Sequence, residues 1–396
     1  MAETEQPEHP YGEDVLPEGV RSRHVAAVNG LSVHVLEAGF DPGARAGERP
    51  LVLLLHGFPE IAYSWRKVIA PLASAGFHVV APDQRGYGRT EGWDGDYDGD
   101  LRSFSLLNLT KDALALVSAL GYDSVAAVVG HDFGSAVAAT CALVRPDVFR
   151  SVAFLSAPFA GPPRLPFDTA GEPHAGTRGE TPSAPSLDDD LAALDPPRKH
   201  YHQYYSTRTA NDEMHHCAQG VHAFLRAYFH HKSADWEQNK PHSLAARTAA
   251  EMATMPTYYI MELDKDMAET VAAEMPSETA VAACRWLTDD ELSVYSEDYE
   301  RTGFQGGLQR YRCGTTGINA TDLALFSGRT IDVPACFIAG TSDWGAYQAP
   351  GNLERMQDSA CTDWRGTHFV EGAGHWVQQE QPEQVVELLR RFVHDQ

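Results

Sequence analysis

Long apolar runs are missing from this chain of 396 residues. None approaches the roughly 18 residues that a membrane-spanning helix needs. The N-terminal Met1-Ala2-Glu3-Thr4-Glu5 is acidic and has no apolar stretch, so a secretory signal is not expected. Basic side chains are scarce: Lys and Arg total 31 against 55 Asp and Glu, a net charge of −24. Such a chain repels phosphate backbones and anionic lipid, which argues against a nucleic-acid or membrane partner. Cysteine is sparse too. The six, at 141, 217, 284, 313, 336 and 361, include no CxxC pair, against a zinc knuckle or redox motif. Reduced thiols in a cytoplasmic protein are the expectation. Walker A, HExxH, the Rossmann glycine fingerprint and G-x-S-x-G are also absent.

What is present is ordinary globular material, 43% hydrophobic and 22% charged, which rules out wholesale disorder. Residues 1–20, rich in Glu, Pro and Gly, read as a flexible N-terminal arm. His24–Val28 and Leu31–Leu36 flank Asn29-Gly30, a hairpin signal. Leu51–Leu55 is wholly apolar, as suits a strand buried on both faces of a parallel sheet. From there strands and helices alternate: helix Ile61–Ala75, strand Phe77–Val80, helix Ser105–Leu120, strand Ser124–Val129, helix Ser135–Val144 and strand Ser151–Leu155.

The alternation breaks at Ala157-Pro158. Residues 160–198 read as an irregular insertion, with Asp188-Asp189-Asp190 a solvated loop, and His200 to Arg312 reads as helical without a strand. The α/β rhythm then resumes with strand Val333–Ala339, helix Asn352–Ser359, strand Thr367–Val370 and helix Pro382–Val393. The expected fold class is α/β: a mostly parallel, doubly wound sheet with an inserted helical lid. The parts are core 21–158, cap 159–317 with the insertion near 160–198, and core 318–396.

Gly130-His131-Asp132-Phe133-Gly134 lies between a predicted strand and a predicted helix. A G-x-Nu-x-G elbow needs small residues beside its raised side chain, because the turn is strained and backbones meet closely there. Here the raised residue is a carboxylate. The pattern alone is weak: Gly39-Phe40-Asp41-Pro42-Gly43 also fits, with no helix following, and Asp132 could serve as a plain helix N-cap. Asp343 and His375 strengthen the case. Both sit just past strand C-terminal ends, where open α/β sheets bind ligands, and the chain order is nucleophile, acid, histidine. His56-Gly57-Phe58-Pro59 follows the strand Leu51–Leu55, where the second oxyanion donor belongs; the amides of Phe58 and Phe133 are the candidates. Pro59 offers a cis bond that fixes this turn. His215-His216 and His230-His231 invite a metal reading, but adjacent side chains on a helix point about 100° apart, so no metal is expected.

Together these segments resemble the soluble epoxide hydrolases of the α/β-hydrolase fold. The matching pieces are His56-Gly57-Phe58-Pro59-Glu60 with Ser64-Trp65-Arg66, Asp83-Gln84-Arg85-Gly86-Tyr87-Gly88, the Asp132 pentapeptide and Gly374-His375-Trp376. The resemblance implies Asp132 as nucleophile, His375 as general base and Asp343 as the acid that orients it. It also implies two tyrosines that donate to the epoxide oxygen. Tyr311, after Gly303-Phe304-Gln305-Gly306-Gly307-Leu308, is one. Tyr201 in Tyr201-His202-Gln203-Tyr204-Tyr205 matches the other, with Tyr204 and Tyr205 as neighbouring alternatives. His56, Pro59, Trp376, Tyr204 and Tyr258 are expected near the substrate.

No cofactor or metal enters the implied reaction. The implied partner is a small-molecule epoxide, and a homodimer is allowed for. Two rival readings share the residues. A haloalkane or haloacid dehalogenase uses the same Asp nucleophile but needs halide donors in place of the tyrosines. A non-catalytic ligand-binding protein of this fold has no need of Asp132, Asp343 and His375 together.

Overall fold

The computed structural model describes residues 11, 15–40, 48–163 and 186–394. Its centre is an eight-stranded sheet of β1 (Arg21–Val28), β2 (Leu31–Ala38), β3 (Leu51–Leu55), β4 (His78–Pro82), β5 (Ala127–His131), β6 (Val152–Leu155), β9 (Ile331–Gly340) and β10 (Cys361–Val370), in the order β1-β2-β4-β3-β5-β6-β9-β10. The β1–β2 and β2–β4 pairs are antiparallel and every other pair is parallel. Leu51, Leu53 and Leu55 face one apolar core, Val52 and Leu54 the other, so β3 is buried on both sides. That is why its sequence shows no polar alternation. From β3 the chain winds first to β4 and later to β5 on the opposite side. The strand order therefore reverses between β3 and β5, where doubly wound sheets open a crevice at their carboxyl ends.

The helices follow the sequence pattern closely. Arg66–Ser74 (α1) comes after a short 3₁₀ turn at Ala62–Trp65. Ser105 caps Leu106–Ala119 (α2) by accepting from the Asn108 amide. Phe133–Val144 (α3) follows Asp132 directly, and Pro382–His394 closes the chain. No helix among the described residues is long and apolar enough to cross a membrane.

Several expectations need correction. The region from His200 to Arg312 is not wholly helical: Arg198–His200 (β7) and Ile260–Glu262 (β8) form an antiparallel pair. Three-residue strands are too short to show periodicity. Asp188-Asp189-Asp190 is not a loop but the first turn of helix Leu187–Ala192, where Ser186 and Asp189 form a capping box and the acids sit at the positive end of the helix dipole. β5 begins at Ala127 rather than Ser124, because Val125 makes only an isolated bridge to Phe149. β10 begins at Cys361, six residues before the expected start, and helix Asn352–Arg355 gives way to a π turn. Within the expected arm, Tyr11 is buried and stacked on Tyr63 at 5.8 Å. The rest of the arm through residue 14, residues 164–185 of the insertion, and Asp41–Gly43 of the second G-x-D-x-G match lie outside the described residues.

Candidate active site

Asp132 follows β5 with φ 52° and ψ −118°, a conformation an L-residue holds only at a cost of about 1–3 kcal/mol. The neighbouring glycines make it possible. A methyl on Gly130 would strike the backbone of Gly134, and one on Gly134 would strike the Leu55 carbonyl. The Asp132 side chain makes no N-cap bond to α3, so the plain capping explanation fails. Its Oδ1 instead accepts from the Phe58 amide at 3.0 Å, across the crevice between β3 and β5. Phe58 is brought there by the turn after β3, with a cis Phe58–Pro59 bond. Phe133 opens α3, so its amide has no acceptor within the helix.

Asp343 lies three residues past β9 and His375 five past β10. His375 Nδ1 is 3.0 Å from Asp343 Oδ1, which also accepts from the Gly345 amide at 2.7 Å. An aspartate at Nδ1 fixes the tautomer with the proton there and leaves Nε2 as the basic nitrogen. That Nε2 faces Asp132 Oδ2 at 3.5 Å. All three side chains are essentially buried.

The helical insert between β6 and β9 closes the site from above. Tyr201 begins helix Tyr201–Tyr205, and its hydroxyl donates to Gln348 Oε1 at 3.1 Å. Tyr311, on helix Gln305–Thr315, packs its ring edge-on against Phe58 and Phe133, the two residues whose amides are the oxyanion candidates. The rings of Tyr201 and Tyr311 meet at 5.9 Å. Among the described residues the Tyr311 hydroxyl makes no hydrogen bond. Asp132, Phe133, Tyr201, His202, Arg247 and Gln348 help line a cavity of about 280 Å³.

The other candidates fall around this cavity rather than in it. His56 is fully buried; it accepts from the Gln84 amide at Nε2 and donates from Nδ1 to the Gly57 carbonyl, so it braces the turn. Trp376 donates to the Phe229 carbonyl and buttresses the His375 ring. Tyr258 donates to Asn239 inside the insert. Tyr204 is buried, its hydroxyl without a hydrogen-bond partner among the described residues, and Tyr205 donates to Tyr228. Of the early tyrosines, then, Tyr201 is the one that lines the cavity.

Burial alone would push the Asp132 carboxyl up. The neighbouring His375, with Lys232 and His131, holds it well below the usual carboxylate range. Asp343 is likewise lowered, by His375 against burial. Burial and the Asp132 charge push both the Tyr201 and Tyr311 phenols far up, so they stay protonated donors. Burial drives His202 well below its ordinary value, leaving a neutral ring in the cavity wall.

Several contributors escape the motif reading. Glu60 accepts from the Gly57 amide, His131, Gln378 and Gln379, tying the Phe58 turn to the residues after His375. Its place in the His56–Glu60 segment was its only signal. Gln348 and Arg247 carry no motif at all. Lys232 is buried, its ammonium about 5.0 Å from the Tyr259 ring and 5.5 Å from that of Trp376.

A family model described as the alpha/beta hydrolase fold matches residues 50–382. The chain belongs to that family. Epoxide hydrolase B of Mycobacterium tuberculosis is 33% identical over 353 residues, 87% of this chain and 91% of that protein. Epoxide hydrolase A of the same organism is 31% identical over 381 residues, 95% of this chain and 98% of that one. A solved epoxide hydrolase from an endophytic Streptomyces superposes with a TM-score of 0.72 at 29% identity, covering 96% of each chain. These relatives place the chain, within the fold family, among the epoxide hydrolases.

Proposed function

We propose that the protein opens an epoxide to a vicinal diol through a covalent ester on Asp132, with the helical insert serving as the cap of the active site. The observation that carries this reading is that an ionised Asp132 and the protonated phenol of Tyr201 line one cavity. A carboxylate attacks carbon without needing a base, whereas an epoxide oxygen leaves carbon only when a donor receives its charge. Tyr201 and Tyr311 are the donors in this proposal. Oδ1 is held by the Phe58 amide, so Oδ2 is the attacking atom. The carbon–oxygen bond opens, its electron pair goes to the epoxide oxygen, and an alkyl ester remains.

His375 Nε2 then takes a proton from water, whose oxygen adds to Cγ of Asp132. The charge on Oδ1 is met by the Phe58 and Phe133 amides. The adduct collapses by breaking Cγ–Oδ2: Oδ2 takes the proton from His375 and leaves in the diol, and the water oxygen stays on Asp132. The second water proton replaces the one the phenols gave the epoxide oxygen. The six cysteines, none of them paired, fit the cytoplasmic placement in this proposal.

The test is one turnover in H₂¹⁸O with a panel of epoxides and haloalkanes. Label is expected in the Asp132 side chain, because water attacks the ester carbonyl and not the substrate carbon. Label found only in the first-turnover diol removes the ester from the path. Faster halide release than epoxide opening shifts the assignment to a dehalogenase.

A further inference from the structure

Glu380 lies five residues past His375, outside the cavity, and neither the motifs nor the mechanism uses it. Its carboxyl group receives three amides, which oppose a burial that pushes it up to about 8. Oε2 accepts from Ala234 at 2.8 Å and Gly374 at 2.9 Å, and Oε1 accepts from Trp376 at 3.0 Å. Gly374 and Trp376 flank His375. Ala234 belongs to the insert, two residues beyond helix Gly220–Lys232. Between the two clamped amides, the His375 N–H donates directly to the Lys232 carbonyl at 2.9 Å. Three consecutive amides of the histidine loop are therefore tied to the insert, two of them through one carboxylate. The backbones touch as well, since a methyl on Gly374 would meet the Ser233 carbonyl carbon at 2.5 Å.

We propose that Glu380 is a positioning residue for the hydrolytic half of the reaction, holding the His375 loop in register with Asp132 by clamping it to the insert at Ala234. The proposal rests on the ester mechanism above. It ties the base to the cap: His375 reaches its working position only while the insert is docked and the cavity is closed to bulk water. Asp132 and the two phenols do not hang from this clamp, so ester formation is spared.

That split makes the test specific. In Glu380→Gln the amide nitrogen replaces one acceptor and confronts an N–H donor. Rapid-quench mass spectrometry then separates ester formation from ester breakdown. Formation is expected within about 3-fold of wild type, with breakdown slowed at least about 10-fold and ester accumulating, since small displacements of a reacting group cost rates of that order. Glu380→Asp, one methylene too short to span loop and insert, carries the same expectation should the glutamine variant fail to fold. Equal slowing of both steps, or breakdown at the wild-type rate, overturns the proposal while leaving the mechanism standing. A wild type that forms no ester from any epoxide overturns the mechanism itself, and this proposal with it.

Discussion

The two phenols are not equivalent, and removing them one at a time exposes the difference. The Tyr201 hydroxyl already donates to Gln348 at 3.1 Å, while the Tyr311 hydroxyl makes no hydrogen bond among the described residues. Deleting a donor to a developing oxyanion costs about 2.7–4 kcal/mol, or roughly 10²–10³ in rate. Tyr311→Phe is expected to lose that full amount. To serve the epoxide, Tyr201 must first give up its bond to Gln348, a neutral hydrogen bond worth about 1 kcal/mol net. Its contribution to opening falls to about 2–3 kcal/mol, so Tyr201→Phe is expected to lose roughly 20- to 150-fold. The assay is the rate of ester formation in a His375→Gln background, where breakdown is blocked and only the opening step is seen. Each change removes one hydroxyl, so far-ultraviolet circular dichroism should not move. The reasoning fails if Tyr201→Phe proves the slower variant, or if both open epoxides within about fivefold of their parent.

Two further outcomes test the frame around the site. A methyl at Gly306 would collide with the Gly86 carbonyl, where neither backbone can yield, so Gly306→Ala should lift the helix carrying Tyr311 off the core. A loss of about 1–3 kcal/mol in urea unfolding is expected, and an unchanged midpoint refutes the contact. Burial would raise the Asp83 carboxyl, but the charge and hydrogen bond of His34 and the Arg89 amide bring it down to about 2. A folded pKa below the unfolded one stabilises fully above the unfolded value and is lost as pH falls through the folded value. The pair should therefore contribute roughly 2 kcal/mol at pH 7 that disappears between about pH 4 and pH 2. Asp83→Asn should flatten that acid limb in urea titrations at several pH values, and an identical limb in the variant would rule the pair out as its source.

The fold was legible where one physical cause controls the pattern. β3 is apolar at every position because both faces are covered, and α2 shows its buried stripe and its Ser105 cap without help from tertiary structure. Boundaries failed where the cause is not local. The pair β7–β8 joins segments about 60 residues apart through three residues each, and no window on either side holds that information. The start of β10 depends on β9 lying beside it, and the capping box at Ser186 turned an apparent loop into a helix through two short-range bonds.

The site divides along the same line. Asp132, Asp343 and His375 were readable because each must sit just past a strand end, a constraint that fixes both residue type and chain order. Tyr311 was reached through the family resemblance of its segment, in which Gly307 faces the ring of Phe58 and Gly306 the backbone of Gly86. Residues that act by holding others leave no such mark. Glu60 gathers donors from Gly57, His131, Gln378 and Gln379, and Glu380 gathers them from Ala234, Gly374 and Trp376. The two carboxylates brace opposite sides of the same histidine loop, Glu60 from the core and Glu380 from the insert. Their partners are mostly backbone amides and glutamines, which any sequence supplies in plenty. The backbone on either side of His375 is held by such contacts, so the least legible residues are ones on which a legible one depends.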